Sequence, residues 1–244
     1  MAELRCYVFL DSLQPQFASF LGTVAQGFLP TPGQASLFVE IAPGMDIMSV
    51  TDVALKATDV RPGMLIIERL YGMLEIHSDS QADVRQAGQA ILDSLGLKEE
   101  DRVKPQLVSS QVIRNISPYH TQLINRTRHG DMILPGHTLY VLEVAPAGYA
   151  AIAANEAEKA ADINILEVRA FGSFGRVYLG GLPPPSVKMS IRLAPASMAF
   201  STSSLTTLAG RSTTSPAAMR LTICSGSWRT GMGRGDSGEA EAPI

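Results

Sequence analysis

The sequence predicts an α+β fold built from two tandem copies of one antiparallel sheet with packed helices. Two observations lead there. Residues 32–60 (PGQASLFVEIAPGMDIMSVTDVALKATDV) align without a gap on residues 135–163 (PGHTLYVLEVAPAGYAAIAANEAEKAADI), an internal repeat that chance seldom produces in one register. Within each copy, short apolar strand-like runs alternate with amphipathic helical segments joined by brief turns, the pattern of an α+β sandwich. The repeat divides the chain into residues 1–104, 105–181 and a remainder, 182–244.

The elements follow in order. Residues 4–11 (LRCYVFLD) read as a strand. Residues 13–28 lack a clear period and read as a mixture of short strand and loop. Pro32-Gly33 marks a turn, and SLFVEIA (36–42) is an apolar strand ended by Pro43-Gly44. A helix is expected from Asp46 to Thr58, with Ile47, Val50, Val53, Ala54 and Ala57 on one face. Residues 64–77 (MLIIERLYGMLEIH) form a strand pair or one long strand bent at Gly72. Ser78 or Asp79 caps a last helix, Gln81 to Leu95. LKEEDRVKP (97–105) is the linker, and the second copy restarts at Gln106. After a short gap, IIERLYG (66–72) sits over LEVRAFG (166–172), which pairs Arg69 with Arg169 and Gly72 with Gly172.

Composition excludes several functions. A formal net charge of −3 gives no bulk attraction to nucleic acid. No apolar run is long enough for a membrane span. Two cysteines, Cys6 and Cys224, make no disulfide framework, and with no signal-like N-terminus the cytoplasm is the expected compartment. His77, His120, His129 and His137 lack metal-ligand spacing, so no metal and no cofactor is expected. No Ser–His–Asp spacing or carboxylate pair stands out, so no catalytic residue is assigned.

VTDVALKATDVRPGMLIIERLYG and NEAEKAADINILEVRAFGSFGRVYLGG, each with a Lys-Ala pair closing a helix before a strand that ends in aromatic–Gly, resemble the bacterial microcompartment (BMC) shell domain. The order of elements resembles its circularly permuted tandem form, as found in carboxysome shell proteins, over roughly residues 3–181. The resemblance implies a non-enzymatic shell tile: a homotrimer whose six domains form a pseudohexamer, stacking as a dimer of trimers. Its implied partners are further copies, other shell proteins and small metabolites crossing a gated central pore, with no nucleic acid and no membrane. The alternative kept from the residues alone is a soluble oligomeric sensor that binds a metabolite.

The resemblance implies that Glu68 and Arg69 are the pore-gating pair. The residues themselves also permit an ordinary surface ion pair worth under about 1 kcal/mol. Val168 and Arg169 stand at the aligned place in the second copy, with the acid missing, so the first copy is expected to carry the gate. Lys56 and Lys159 correspond to the tile-edge lysine, and Arg61 is a further edge candidate. The polar stretch Asn125 to His129 reads as an exposed loop that could face a chamber. By the repeat, the chain after Gly181 should form a final amphipathic helix. Instead three prolines follow Leu182, and no acid occurs before Asp236. Residues 182–244 are therefore expected to be an aberrant, disordered tail of shifted reading frame, leaving the second copy without its last helix.

Overall fold

The computed structural model describes residues 2–182. The expectations for the segment beyond residue 182, including the missing final helix, lie outside the described residues. The first copy runs β1 (Glu3–Leu10), α1 (Pro15–Val24), β2 (Ala35–Ala42), α2 (Ile47–Ala57), β3 (Arg61–Glu68), β4 (Tyr71–Ser78) and α3 (Gln81–Leu95). The second runs β5 (Gln106–Ile113), α4 (Pro118–Thr127), β6 (Thr138–Ala145), α5 (Tyr149–Ala160), β7 (Asn164–Arg169) and β8 (Gly175–Gly181). Each copy forms a four-stranded antiparallel sheet, ordered β1-β2-β4-β3 and β5-β6-β8-β7.

Alternation along β2 explains the layering. Leu37, Val39 and Ile41 point to the face covered by α2 and α3, where they join Ile47, Val50, Ala54, Val84, Ala87 and Ile91 in one core. Phe38 points the other way, into a second core that spans both copies. There Cys6, Val8, Leu10, Phe17, Phe20 and Met73 of the first copy pack with Tyr149, Ala150, Ala151, Ala154 and Val168 of the second. The α3 helix starts at Ser80, whose hydroxyl accepts the Asp83 N–H (3.2 Å), so the cap lies one or two residues beyond the expected Ser78 or Asp79. Its end is Gly96 at φ 65°, a left-handed position suited to glycine.

Three sequence expectations are corrected. Residues 15–24 are a helix, not mixed strand and loop. Phe17, Ala18, Phe20 and Leu21 give it a buried stripe, and Pro15 sits at its first turn, where a missing N–H costs nothing. Its Gln14 cap makes no side-chain hydrogen bond. The capping group comes instead from the far copy: the Glu158 carboxylate accepts the N–H groups of Gln16 and Phe17, both at 2.9 Å. Locally, only Pro15 marks that helix start.

Gly72 is not a bend. It lies inside β4, paired with Ile41, and a Cβ there would come within 2.7 Å of the Ile47 Cβ. The reversal falls at Arg69 and Leu70, so residues 64–77 are a strand pair.

The gap introduced after residue 163 is also wrong. Gly175 pairs with Val144 as Gly72 pairs with Ile41, and the left-handed Arg69 (φ 56°) matches the left-handed Gly172 (φ 91°). The ungapped register of the flanking repeat continues through both hairpins. The counterparts of Glu68, Arg69 and Gly72 are therefore Phe171, Gly172 and Gly175, not Val168, Arg169 and Gly172. A three-residue slip happened to superimpose arginine on arginine and glycine on glycine.

Replacing Glu158 with alanine should strip the remote cap and two charge-assisted hydrogen bonds from α1, costing about 2 kcal/mol. Urea unfolding followed by circular dichroism measures it, and a cost below about 0.5 kcal/mol would show that α1 does not depend on the far copy.

Candidate functional site: a charged hairpin turn and the joint between the copies

Glu68 ends β3 and Arg69 begins the turn into β4. Both are open to solvent, the Arg69 side chain almost fully (88%) and Glu68 by half (48%). Their nearest approach, Arg69 Nε to Glu68 Oε1, is 4.0 Å, a loose pair that leaves both charges free to turn elsewhere. Arg69 holds a left-handed backbone, which a residue with a Cβ adopts only at a cost. The second copy gives the same position to Gly172, where that cost vanishes. The two turns are neighbours, since a Cβ on Gly172 would lie 3.5 Å from the Glu68 Cγ. The paired turns thus present unequal chemistry at one end of the molecule: Glu-Arg from one copy, Phe171-Gly172 from the other.

The proposed edge residues are not gathered there. Arg61 opens β3, at the opposite end from Glu68, which at the usual strand rise places the two about 23 Å apart along the strand. Its guanidinium lies 5.7 Å from the centre of the exposed Phe28 ring. Lys56 and Lys159 close α2 and α5 in matching places, where cations suit the helix dipole. Their surroundings differ. Lys56 is exposed and pairs with Asp52 one turn back (2.6 Å). Lys159 reaches Glu156 (2.8 Å) and Asp11 of the first copy (3.6 Å). Burial opposes its charge, but Glu156 and Asp11 more than offset this and raise its pKa above the ordinary lysine value.

Between the copies lies a polar clamp of residues more than 100 positions apart in the chain. Besides the Glu158 cap, the Asn155 side chain accepts the Gln14 N–H (2.9 Å) and donates to the Ser12 carbonyl (3.3 Å). The Gln16 side chain spans the Ile163 carbonyl (2.7 Å) and the Ile165 N–H (3.2 Å). Glu40, fully buried, accepts from Arg5 Nε (2.9 Å) and from the Gly148 N–H (2.8 Å). Burial raises the Glu40 carboxyl pKa above the usual range; the bonds from Arg5 and Gly148 hold the rise down.

Beside the joint, α1, β3 and β7 enclose a cavity of about 340 Å³. Its walls are apolar (Phe20, Met64, Val168), and its rim carries His129, Glu167 and Arg169. The Glu167 carboxylate accepts the His129 N–H (2.8 Å) and lies 3.5 Å from Arg169 Nε. The stretch expected as a free loop is partly fixed: Asn125 lies in α4 and bonds both backbone groups of Ile133 (2.8 and 3.0 Å). Among the described residues, no three His, Cys, Asp or Glu side chains converge as metal ligands do. No helix among them is long and apolar enough to cross a membrane.

Comparison with known proteins gives this arrangement its family. The family model described as the CsoS1D N-terminal domain matches residues 4–101. The carboxysome shell protein CcmP of Synechococcus elongatus is 63% identical over 179 residues, covering 73% of this chain and 84% of that protein. The carboxysome shell protein CsoS1D of Hydrogenovibrio crunogenus is 52% identical, covering 74% and 89%. Among solved structures, the fused permuted hexameric shell protein MSM0275 of the RMM microcompartment superposes with a TM-score of 0.72 at 49% identity, covering 74% of this chain and 89% of that one. The double-ringed trimeric shell protein MSM0271 of the same microcompartment also reaches 0.72, at 42% identity, covering 75% and 89%. A duplicated, permuted α+β sheet with this degree of identity defines a tandem shell-domain protein, and the chain belongs to the carboxysome shell protein family that includes CcmP and CsoS1D.

Arg69→Gly should raise stability by about 0.5 kcal/mol, because relief of the left-handed backbone slightly exceeds the entropy cost of glycine. The midpoint of chemical unfolding reads it. A loss of stability would mean that the Arg69 side chain makes a stabilising contact larger than its backbone cost.

Proposed function

We propose that three copies of this chain close into a pseudohexameric tile of the carboxysome shell. In this reading the Glu68–Arg69 turns line a central pore and gate the passage of small metabolites. The single observation that supports it most is the convergence of the two unequal hairpin turns at one end of the paired sheets. Repeated about a three-fold axis, that arrangement brings three Glu-Arg turns and three Phe171-Gly172 turns together. Like charges crowded at an axis repel unless each finds an opposite partner. Arg69 of one copy reaching Glu68 of another closes the ring; rotation of the same exposed side chains opens it. The phenylalanine–glycine turns between them give the arginines room to swing.

Lys56, Lys159 and Arg61 lie away from that turn, and we assign them to the rim, where tiles meet one another and other shell proteins. Stacking of two trimers face to face, as in a double-ringed shell protein, accounts for the chamber that the pores would guard. The role is structural. A serine, a histidine and a glutamate do meet in β2 and β4, but Ser36 donates to Glu75 (2.6 Å) and His77 also faces Glu75 (3.2 Å). All three are sealed from solvent, so the cluster offers no nucleophile to a substrate. The reading of the chain as a metabolite sensor has only the joint cavity in its favour.

Negative-stain electron microscopy of the purified protein tests the tile: flat hexagonal outlines, about two trimers thick, are expected, and uniformly monomeric particles would refute it. For the gate, Glu68→Gln should empty the closed-pore class in cryo-electron microscopy while leaving the trimer intact. An unchanged ratio of closed to open particles would remove Glu68 from the gate.

A further inference from the structure

Tyr71 is the first residue after the charged turn. It opens β4 and pairs directly with Glu68 in the last rung of the β3–β4 hairpin. Two contacts hold it. The Arg5 guanidinium stacks on its ring, with the Arg5 Cζ 3.7 Å from the ring centre. Its backbone lies against Gly44, so closely that a Cβ on Gly44 would come within 2.7 Å of the Tyr71 carbonyl carbon.

Arg5 is itself anchored. Its side chain is only 13% exposed, and its Nε donates to Glu40 (2.9 Å), a carboxylate sealed from solvent. The other Glu40 oxygen accepts the Gly148 N–H (2.8 Å) at the start of α5. A continuous line of contacts therefore runs from the charged turn through Tyr71, Arg5 and Glu40 to the joint between the copies.

The second copy keeps the carboxylate and drops the rest. Glu143 repeats Glu40, but its arginine comes from β8, with Arg176 Nε at 2.7 Å. By the ungapped repeat, Val108 stands in place of Arg5, Phe174 in place of Tyr71 and Ala147 in place of Gly44. The stacked cation thus accompanies the Glu-Arg turn and has no counterpart beside the Phe171-Gly172 turn.

We infer that Arg5 is a positioning residue of the gate: through the face of Tyr71 it fixes the charged turn to the joint, so that only the Glu68 and Arg69 side chains move. This rests on the pore reading and specifies what the gate is built on. The energetics call for such a support. An exposed ion pair between neighbouring chains is weak, and ordering even one backbone residue costs as much or more. A turn that had to be immobilised each time the pore closed would cancel the pair. A turn already immobilised loses only side-chain freedom on closing. Arg69 adds a second reason, because its left-handed backbone persists only where the surroundings hold it. A planar guanidinium suits the task, since it can lie on the Tyr71 ring while its Nε stays on Glu40. Removing the stack therefore loosens the turn and favours the open pore, with Glu68 and Arg69 both still in place.

Cryo-electron microscopy of the full chain, with particles sorted into closed and open pores, tests this. Tyr71→Leu removes the ring face and leaves Arg5 on Glu40, so the fold and the joint should survive. Its closed-to-open ratio should fall by about three-fold or more. Tyr71→Phe keeps the face and loses only the hydroxyl, and should hold the parent ratio. The double variant Arg5→Met/Glu40→Gln removes the cation without stranding a buried carboxylate, and should lower the ratio as Tyr71→Leu does. A parent-like ratio in Tyr71→Leu, or in the assembled double variant, overturns the inference. Glu68→Gln separates the two readings. If its ratio is also unchanged, the gate falls and the inference with it. If it empties the closed class while the Arg5 and Tyr71 variants behave as the parent, the gate stands and the inference alone falls.

Discussion

The union of the two copies depends on a carboxylate reaching across the repeat boundary. Glu158 supplies the N-terminal cap that α1 lacks in its own sequence. Around it, Asn155, Gln16 and Glu40 leave no donor of the contact stranded, and a shared apolar cluster of Phe17, Phe20, Ala151 and Val168 excludes water. Residues of both copies complete that cluster, while a separate core of Ile116, Ile133, Leu139 and Leu166 lies wholly within the second copy.

The fold was mostly legible in the sequence because its informative features are local. Short apolar runs placed β1 and β2 within a residue, whereas β3 begins at Arg61, three residues before the expected start at Met64; the 3.6-residue period placed α3. The duplication was legible because the segments that lie against the sheet retain both pattern and identities. What escaped was non-local. Helix α1 has a short apolar stripe and no side-chain cap of its own, so Pro15 alone marks its start. The hairpin register escaped for another reason: β7 stops at Arg169 while β3 continues to Glu68, and a three-residue slip imitates the repeat wherever arginine and glycine recur.

The candidate site was legible in part. Adjacent opposite charges ending an apolar strand marked the Glu68–Arg69 turn, and the resemblance gave that turn a role. Its true counterpart, Phe171-Gly172, needed the strand pairing. That correction sharpens the asymmetry of the proposed pore. The second copy lacks both charges, and it places glycine where the first copy tolerates a left-handed arginine. Retention of a charged side chain at a backbone position that penalises it is the sort of local cost that functional sites carry. Lys56 and Lys159 show the opposite lesson: the same residue in the same place of both copies meets different neighbours, because only one of the two lies against the internal joint.

Closure of three chains into a ring with the Glu68–Arg69 turns at its axis is what the proposed pore requires. A cryo-electron microscopy map of the purified protein, at a resolution that separates side chains, tests it most directly. Six sheets around one axis, with Glu158 at the joint inside each chain and the 68–70 turns nearest the axis, are expected. A map in which the chain is monomeric, or in which the turns lie at the rim, would contradict it.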